Sequence, residues 1–135
     1  MTAGYSGTPL AKKLGIKEGS RVALVEAPKG FRSELVPLPA GVRFLPAGEG
    51  ELDVIVYFTT RSESLAARFP VLAKALQKAG GLWVAWPKKS SGVATDLTEN
   101  VIREIGLSIG LVDNKVCAVT EVWSGLRFVI RLKDR

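Results

Sequence analysis

The sequence predicts a three-layer α/β domain: a mainly parallel sheet with helices on both faces, closed by a C-terminal antiparallel hairpin. Three observations carry that expectation. Segments 21–27 (RVALVEA), 52–59 (LDVIVYFT) and 82–86 (LWVAW) are short, nearly continuous apolar runs bounded by turn residues, as in strands buried on both faces. Stretches with helical spacing separate them, and alternation of strand and helix implies parallel pairing through crossovers. The C-terminal stretch instead alternates residue by residue, which is the pattern of an antiparallel strand.

In chain order, residues 1–7 read as a flexible tail and residues 8–135 as one α/β domain. Thr8 is a suitable N-cap and Pro9 a suitable first helical residue, so a short helix is expected over 9–14, ended by Gly15. The first buried strand, 21–27, runs into the turn Pro28-Lys29-Gly30. A short helix over 31–36 is stopped by Pro37 and Pro39. A short strand over 42–45 and the loop AGEGE precede the clearest strand, 52–59, which is rich in β-branched and aromatic residues.

Leu65, Phe69, Leu72 and Leu76 then recur at helical spacing, so a helix is expected over 62–79. Pro70 lies inside it and should kink it or begin a second helix. Gly80-Gly81 should terminate it before the third buried strand. Asp96 stands three residues before Glu99, a capping-box spacing with Asp in place of Ser or Thr. Leu97, Val101, Ile102 and Ile105 form the apolar stripe of the helix that follows, and Gly110 marks its exit. Residues 115–123 and 126–133 read as a hairpin around Ser124-Gly125. In its second strand, Leu126, Phe128, Ile130 and Leu132 face one way and Arg127, Val129, Arg131 and Lys133 the other. Charges on one face suit an exposed edge strand. No internal repeat, low-complexity tract or second domain is visible.

Composition excludes much chemistry. A chain of 135 residues with 47% hydrophobic and 24% charged residues can bury a core of its own. It has no histidine, which removes Ser-His-Asp and Cys-His catalysis, HExxH metalloprotease chemistry and nearly all ordinary catalytic zinc sites. The single cysteine, Cys117, can form no intrachain disulfide and reads as a small buried hydrophobe. No metal site and no cofactor are expected. No apolar run approaches the roughly 18 residues of a membrane helix, and the N-terminus lacks the apolar core of a signal peptide. A cytoplasmic protein without a membrane partner is the expectation, and no residue pattern specifies an oligomeric state. Nineteen basic against thirteen acidic residues give a net charge of +6. That balance favours anionic partners: a small anionic ligand, or nucleic acid. The basic residues are spread along the chain, as on a solvated surface, so the nucleic-acid reading is the weaker of the two.

Ligands of open α/β sheets bind beyond the carboxyl ends of the strands. Residues 26–30, 59–61, 86–92 and 123–125 should meet there, the last only if strand 115–123 runs parallel to the others. The loop Pro87-Lys88-Lys89-Ser90-Ser91-Gly92 offers two cations, two hydroxyls and, next to it, an expected helix N-terminus. It lacks the GxxxxGK[ST] pattern of a phosphate-cradling P-loop. Lys88, Lys89, Ser90, Ser91 and Gly92, with Arg61 as an anion clamp, form the expected anion site. Glu26, Trp86 and Trp123 are further candidate ligand contacts: Glu26 toward a ribose or amine, and the two indoles for stacking. Each has a plainer reading as a surface charge or a core aromatic. Gly48-x-Gly50 precedes a strand and opens no helix, so it is not a dinucleotide fingerprint. The expected role is non-catalytic binding of an anionic or phosphate-bearing ligand. A regulatory contact with nucleic acid or a protein partner is the further alternative.

The opening YSGTPLAKKLGI and the stretch AWPKKSSGVATDLTENVIREIGLSIGLVDNKVCAVTEVWSGLRFVIR resemble a family of small bacterial single-domain proteins with no assigned activity. That resemblance implies a self-contained domain. The element order is also similar to a shortened class I methyltransferase fold, a Rossmann-like architecture. This second resemblance implies S-adenosylmethionine binding and an enzymatic alternative. Its glycine-rich motif would fall on Glu26-Ala27-Pro28-Lys29-Gly30, where this sequence has one glycine and a proline.

Overall fold

A computed structural model describes residues 8–135, so the expected 1–7 tail lies outside the described residues. Strand β1 (Arg21–Val25), β2 (Arg43–Phe44), β3 (Leu52–Phe58), β4 (Leu76–Pro87), β5 (Leu111–Ala118) and β6 (Trp123–Ile130) form one mixed sheet. Its order is β2-β1-β3-β4-β6-β5; the first four run parallel, and β6 pairs antiparallel with both β4 and β5. Helices α1 (Leu10–Lys13) and α2 (Phe31–Glu34) cover one face, and α3 (Ser62–Ala75) and α4 (Glu99–Ser108) the other. The three-layer α/β, Rossmann-like expectation is what the chain adopts. No described helix is long and apolar enough to cross a membrane.

The central strand shows why. Alternate residues of a strand point to opposite faces. Ile55 and Tyr57 join Leu65, Phe69, Leu72 and Ile102 in one core, while Val54, Val56 and Phe58 join Leu14, Phe31 and Trp83 in the other. A strand apolar in both registers must be covered twice, and the amphipathic helices supply the covers.

Several element boundaries depart from the sequence reading. Helix α1 starts at Leu10 with Pro9 in the N-cap position and no side-chain cap; Thr8 does not cap it. Strand β1 stops at Val25 because Glu26 turns into the left-handed region at φ 57°. Helix α2 is four residues long, and β2 is shortened to two. One helix, α3, runs through Pro70, so no second helix begins there. It ends at Ala75, and Leu76 turns extended to pair with Leu52 of β3. The Leu76 that extended the helical repeat therefore belongs to a strand.

Gly80 and Gly81 lie inside β4 and do not terminate a helix. They are there for close approach. A Cβ on Gly80 would lie 2.8 Å from the Asp53 carbonyl oxygen, and one on Gly81 would lie 2.3 Å from Arg127 Nε. The hairpin departs from the sequence expectation in the same way. Its turn is at residues 119–122, with Val119 N–H donating to the Trp123 carbonyl at 2.9 Å and Thr120 Oγ1 accepting from Val122 N–H at 3.1 Å. Ser124 and Gly125 sit within β6, opposite Trp86 and Ala85. A Cβ on Gly125 would lie 2.8 Å from Val119 Cγ2 and 3.0 Å from Trp83, so packing and not turning requires the glycine. Strand β6 is also interior; β5 takes the edge, and Arg127 guards no edge.

Candidate functional site

The loops after β1, β2, β3 and β4 and the β5–β6 turn all reach the carboxyl edge of the parallel strands. Strand β5 is antiparallel to β6, which is antiparallel to β4, so β5 runs with the parallel set and ends on that edge. Lys88 N–H donates to the Val122 carbonyl at 2.7 Å and ties the post-β4 loop to this turn.

The loops after β3 and β4 are latched to each other. Thr95 Oγ1 donates to the Thr60 carbonyl at 2.5 Å. Asp96 accepts from Ser62 N–H at 2.7 Å and from Ser62 Oγ at 2.8 Å. These two Ser62 hydrogen bonds are the main reason the Asp96 carboxyl is held below its ordinary pKa; nearby Arg61 adds to them. Asp96 therefore serves the start of α3. The start of α4 is capped by Thr98, whose Oγ1 accepts from Val101 N–H at 3.2 Å. The sequence reading assigned Asp96 to the wrong helix because a capping pattern reveals the donor type and not the partner. Thr60 and Thr95 gave no signal beyond ordinary turn composition.

Arg61 is exposed at the N-cap of α3, beside a cavity of about 360 Å³ lined by Thr60, Arg61, Ala94, Thr95 and Asp96. Lys88 is half-buried, and Lys89, Ser90 and Gly92 are exposed. Lys89–Ser91 forms a single 3-10 turn closed by Gly92 at φ 76°. Ser91 Oγ is used inside that turn: it donates to the Lys88 carbonyl at 2.6 Å and accepts from Val93 N–H at 3.2 Å. The helix N-terminus expected next to the basic loop is not adjacent. Residues 93–98 intervene before α4, because the chain is spent on the latch.

Glu26 is exposed at the end of β1, two strands and so about 10 Å from the β4 backbone. The indoles lie on opposite faces of the sheet. Trp86 packs in the α3/α4 core, while half-buried Trp123 meets Phe58 edge-on at 5.1 Å on the other side. Cys117 is half-buried, and burial pushes its thiol pKa up, the opposite of an activated nucleophile. Among the described residues no group of three or more acidic or cysteine side chains is placed to hold a metal.

Solved structures that share this chain's fold include several methyltransferases. The chain is similar to a SAM-dependent methyltransferase from Aquifex aeolicus, with a TM-score of 0.65 and 17% identity over 90% of this chain and 88% of that one. It is also similar to the magnesium protoporphyrin IX methyltransferase from Synechocystis PCC 6803 with bound SAM. That match has a TM-score of 0.56 and 13% identity over 90% of this chain and 74% of the other. A pericyclic reaction enzyme matches with a TM-score of 0.52 and 13% identity, over 92% of this chain and 47% of that one. These likenesses show a shared fold, and fold alone does not fix the chemistry. No protein-family model and no curated protein matches the chain. The resemblance to methyltransferase topology is thus the one that gains support; that to a family of small bacterial proteins gains none.

Proposed function

We propose that the chain is a single α/β domain of methyltransferase fold that binds a small phosphate-bearing ligand, a nucleotide foremost, at the carboxyl edge of its sheet. The observation that carries this reading is the latch. Thr95 and Asp96 pin the post-β4 loop to Thr60 and Ser62, leaving Arg61 beside a preformed cavity of about 360 Å³ on the edge where such sheets bind ligands. Lys88 and Lys89 extend the cationic surface along the same edge. Arg61 supplies a planar fork suited to two phosphate oxygens, and the lysines supply point charge. A thermal-shift titration with ADP and with pyrophosphate tests it. A ligand at 100 times its dissociation constant adds about 2.7 kcal/mol of stability. The shift should disappear in Arg61→Ala/Lys88→Ala/Lys89→Ala while the melting temperature of the free protein stays put. An equal shift in that variant removes the proposal.

A second reading, S-adenosylmethionine-dependent methyl transfer, is favoured by the SAM-bound neighbour of the same fold. The residues here do not fit that cofactor. Pro28 offers no N–H in the post-β1 turn, Gly30 is the turn's one glycine, and Lys29, Arg61, Lys88 and Lys89 set positive charge along the edge where a sulfonium would sit. The counter-charges on this edge are Glu26 at the end of β1 and Asp96, whose carboxylate already serves Ser62. Calorimetric titration with S-adenosylmethionine should give no heat at high protein concentration; saturable binding would make the enzymatic reading the leading one.

A further inference from the structure

The geometry points to a second anion site, at the amino edge of the sheet, that takes a small molecule carrying a chain of two or more phosphates. It lies opposite the edge of the proposed function and stands independently of it. A cleft of about 520 Å³ opens there between α1, the loop before β1 and the irregular parts of β4 and β5. That is within the range of small-molecule sites. Five cations line it: Lys12, Lys13, Lys17, Lys115 and Arg127. Glu18 and Asp53 also line it, which leaves a net lining charge of +3. Glu18 is exposed, and both Asp53 oxygens are engaged, Oδ2 by Arg21 N–H at 2.9 Å and Oδ1 by Gln77 Nε2 at 3.1 Å.

Arg127 is the recessed member. It pairs in register with Trp83 on one side and Lys115 on the other, and directly opposed residues share a face. The missing side chain of Gly81 makes room for its guanidinium. Arg127 Nη1 donates to Asn114 Oδ1 at 3.3 Å, and among the described residues no carboxylate forms an ion pair with it. Burial lowers its pKa, as expected for a cation desolvated without a paired acid. A half-buried charge in that condition gains from an anion that reaches it.

Both register shifts of the sheet border this cleft. In the β3–β4 pair residues 77–80 of β4 are thrown out, and in the β5–β6 pair Asn114 is the extra residue. Bulges of this kind re-aim side chains beside binding sites. Among the described residues that line the cleft none is aromatic, so none of them offers a base a stacking surface. That separates a compact polyphosphate from single-stranded nucleic acid, which binds on stacking platforms.

The test is isothermal titration of Arg61→Ala/Lys88→Ala/Lys89→Ala protein with inorganic tripolyphosphate, so that the carboxyl edge contributes nothing. One site is expected, with orthophosphate binding more weakly. Adding Lys12→Glu/Lys115→Glu, both exposed positions, should weaken tripolyphosphate by about tenfold or more. Arg127→Gln should do the same; if it fails to fold, the lysine pair decides. Absence of heat, or equal affinity after the lysine reversals, overturns the site. A single-stranded oligonucleotide outcompeting tripolyphosphate overturns the ligand class. Because ADP and pyrophosphate also carry two phosphates, their thermal-shift titrations of the carboxyl edge are run in the Lys12→Glu/Lys115→Glu background, where binding at the amino edge is weakened and failure of one site is distinguishable from failure of the other.

Discussion

Both edges of the sheet present lysines and an arginine, and they hold them differently. At the carboxyl edge, backbone and side chains close on one another: Thr95 on Thr60, Asp96 on Ser62, Lys88 N–H on Val122, with Trp86 sealed in the core. At the amino edge two bulges open the strands, and Arg127 is drawn inward without an acid to meet it. The difference separates a rim whose polar groups are satisfied from a cleft with one cation left incompletely neutralised. A satisfied rim needs flexible surface cations to bind an anion, whereas the cleft has a cation already in place.

The largest effect that would break this contrast is at Trp83, which lies beneath the amino-edge cleft. It is fully buried, and its Nε1–H donates to the Leu14 carbonyl at 2.9 Å, holding the end of α1 to the sheet. Trp83→Ala should cost about 3–5 kcal/mol in urea unfolding. A loss under about 1 kcal/mol would mean that α1 is not fixed to the sheet by this contact.

Gly81→Ala sharpens the contrast. Its backbone is ordinary, so the new methyl should displace the flexible Arg127 head and change stability by less than about 1 kcal/mol. Tripolyphosphate binding should nevertheless fall about tenfold. A stable variant with unchanged affinity would show that the recessed guanidinium is not what the cleft uses.

The smallest effect concerns the latch. The Asp96 pKa is depressed in the folded chain, so its contribution is present above the ordinary aspartate range and is lost as pH falls through the depressed value. Asp96→Asn should lower the urea midpoint modestly at pH 7, and the gap to wild type should close in acid. A gap that is constant down to low pH would assign the effect to something other than the carboxylate.

Much of the fold was legible because its signals are local. The apolar runs at 21–25, 52–58 and 82–86, the helical spacing of Leu65, Phe69 and Leu72, and the antiparallel character of the C-terminus each follow from side-chain period alone. So did the expectation that Arg61 and Lys88 lie on one edge, which follows from strands running parallel. The misreadings share one cause. Local pattern predicts turn or terminator roles for Gly80, Gly81 and Gly125, a helical place for Leu76 and a cap on the following helix for Asp96. In each case the deciding contact is distant in sequence: Gly81 with Arg127, Gly125 with Trp83, Leu76 with Leu52, Asp96 with Ser62.

What the sequence by itself determined is the set of elements, their alternation and the two-sided burial of β3, since these depend on neighbouring residues whose spacing is fixed by the backbone. Only the tertiary structure decided that β6 enters between β4 and β5, that the loops after β3 and β4 latch, and that Arg127 is half-buried without an acidic partner among the described residues. A glycine or a charge carries no mark of the atom it will meet, and these arrangements exist only once strands remote in sequence are brought within hydrogen-bonding and van der Waals reach.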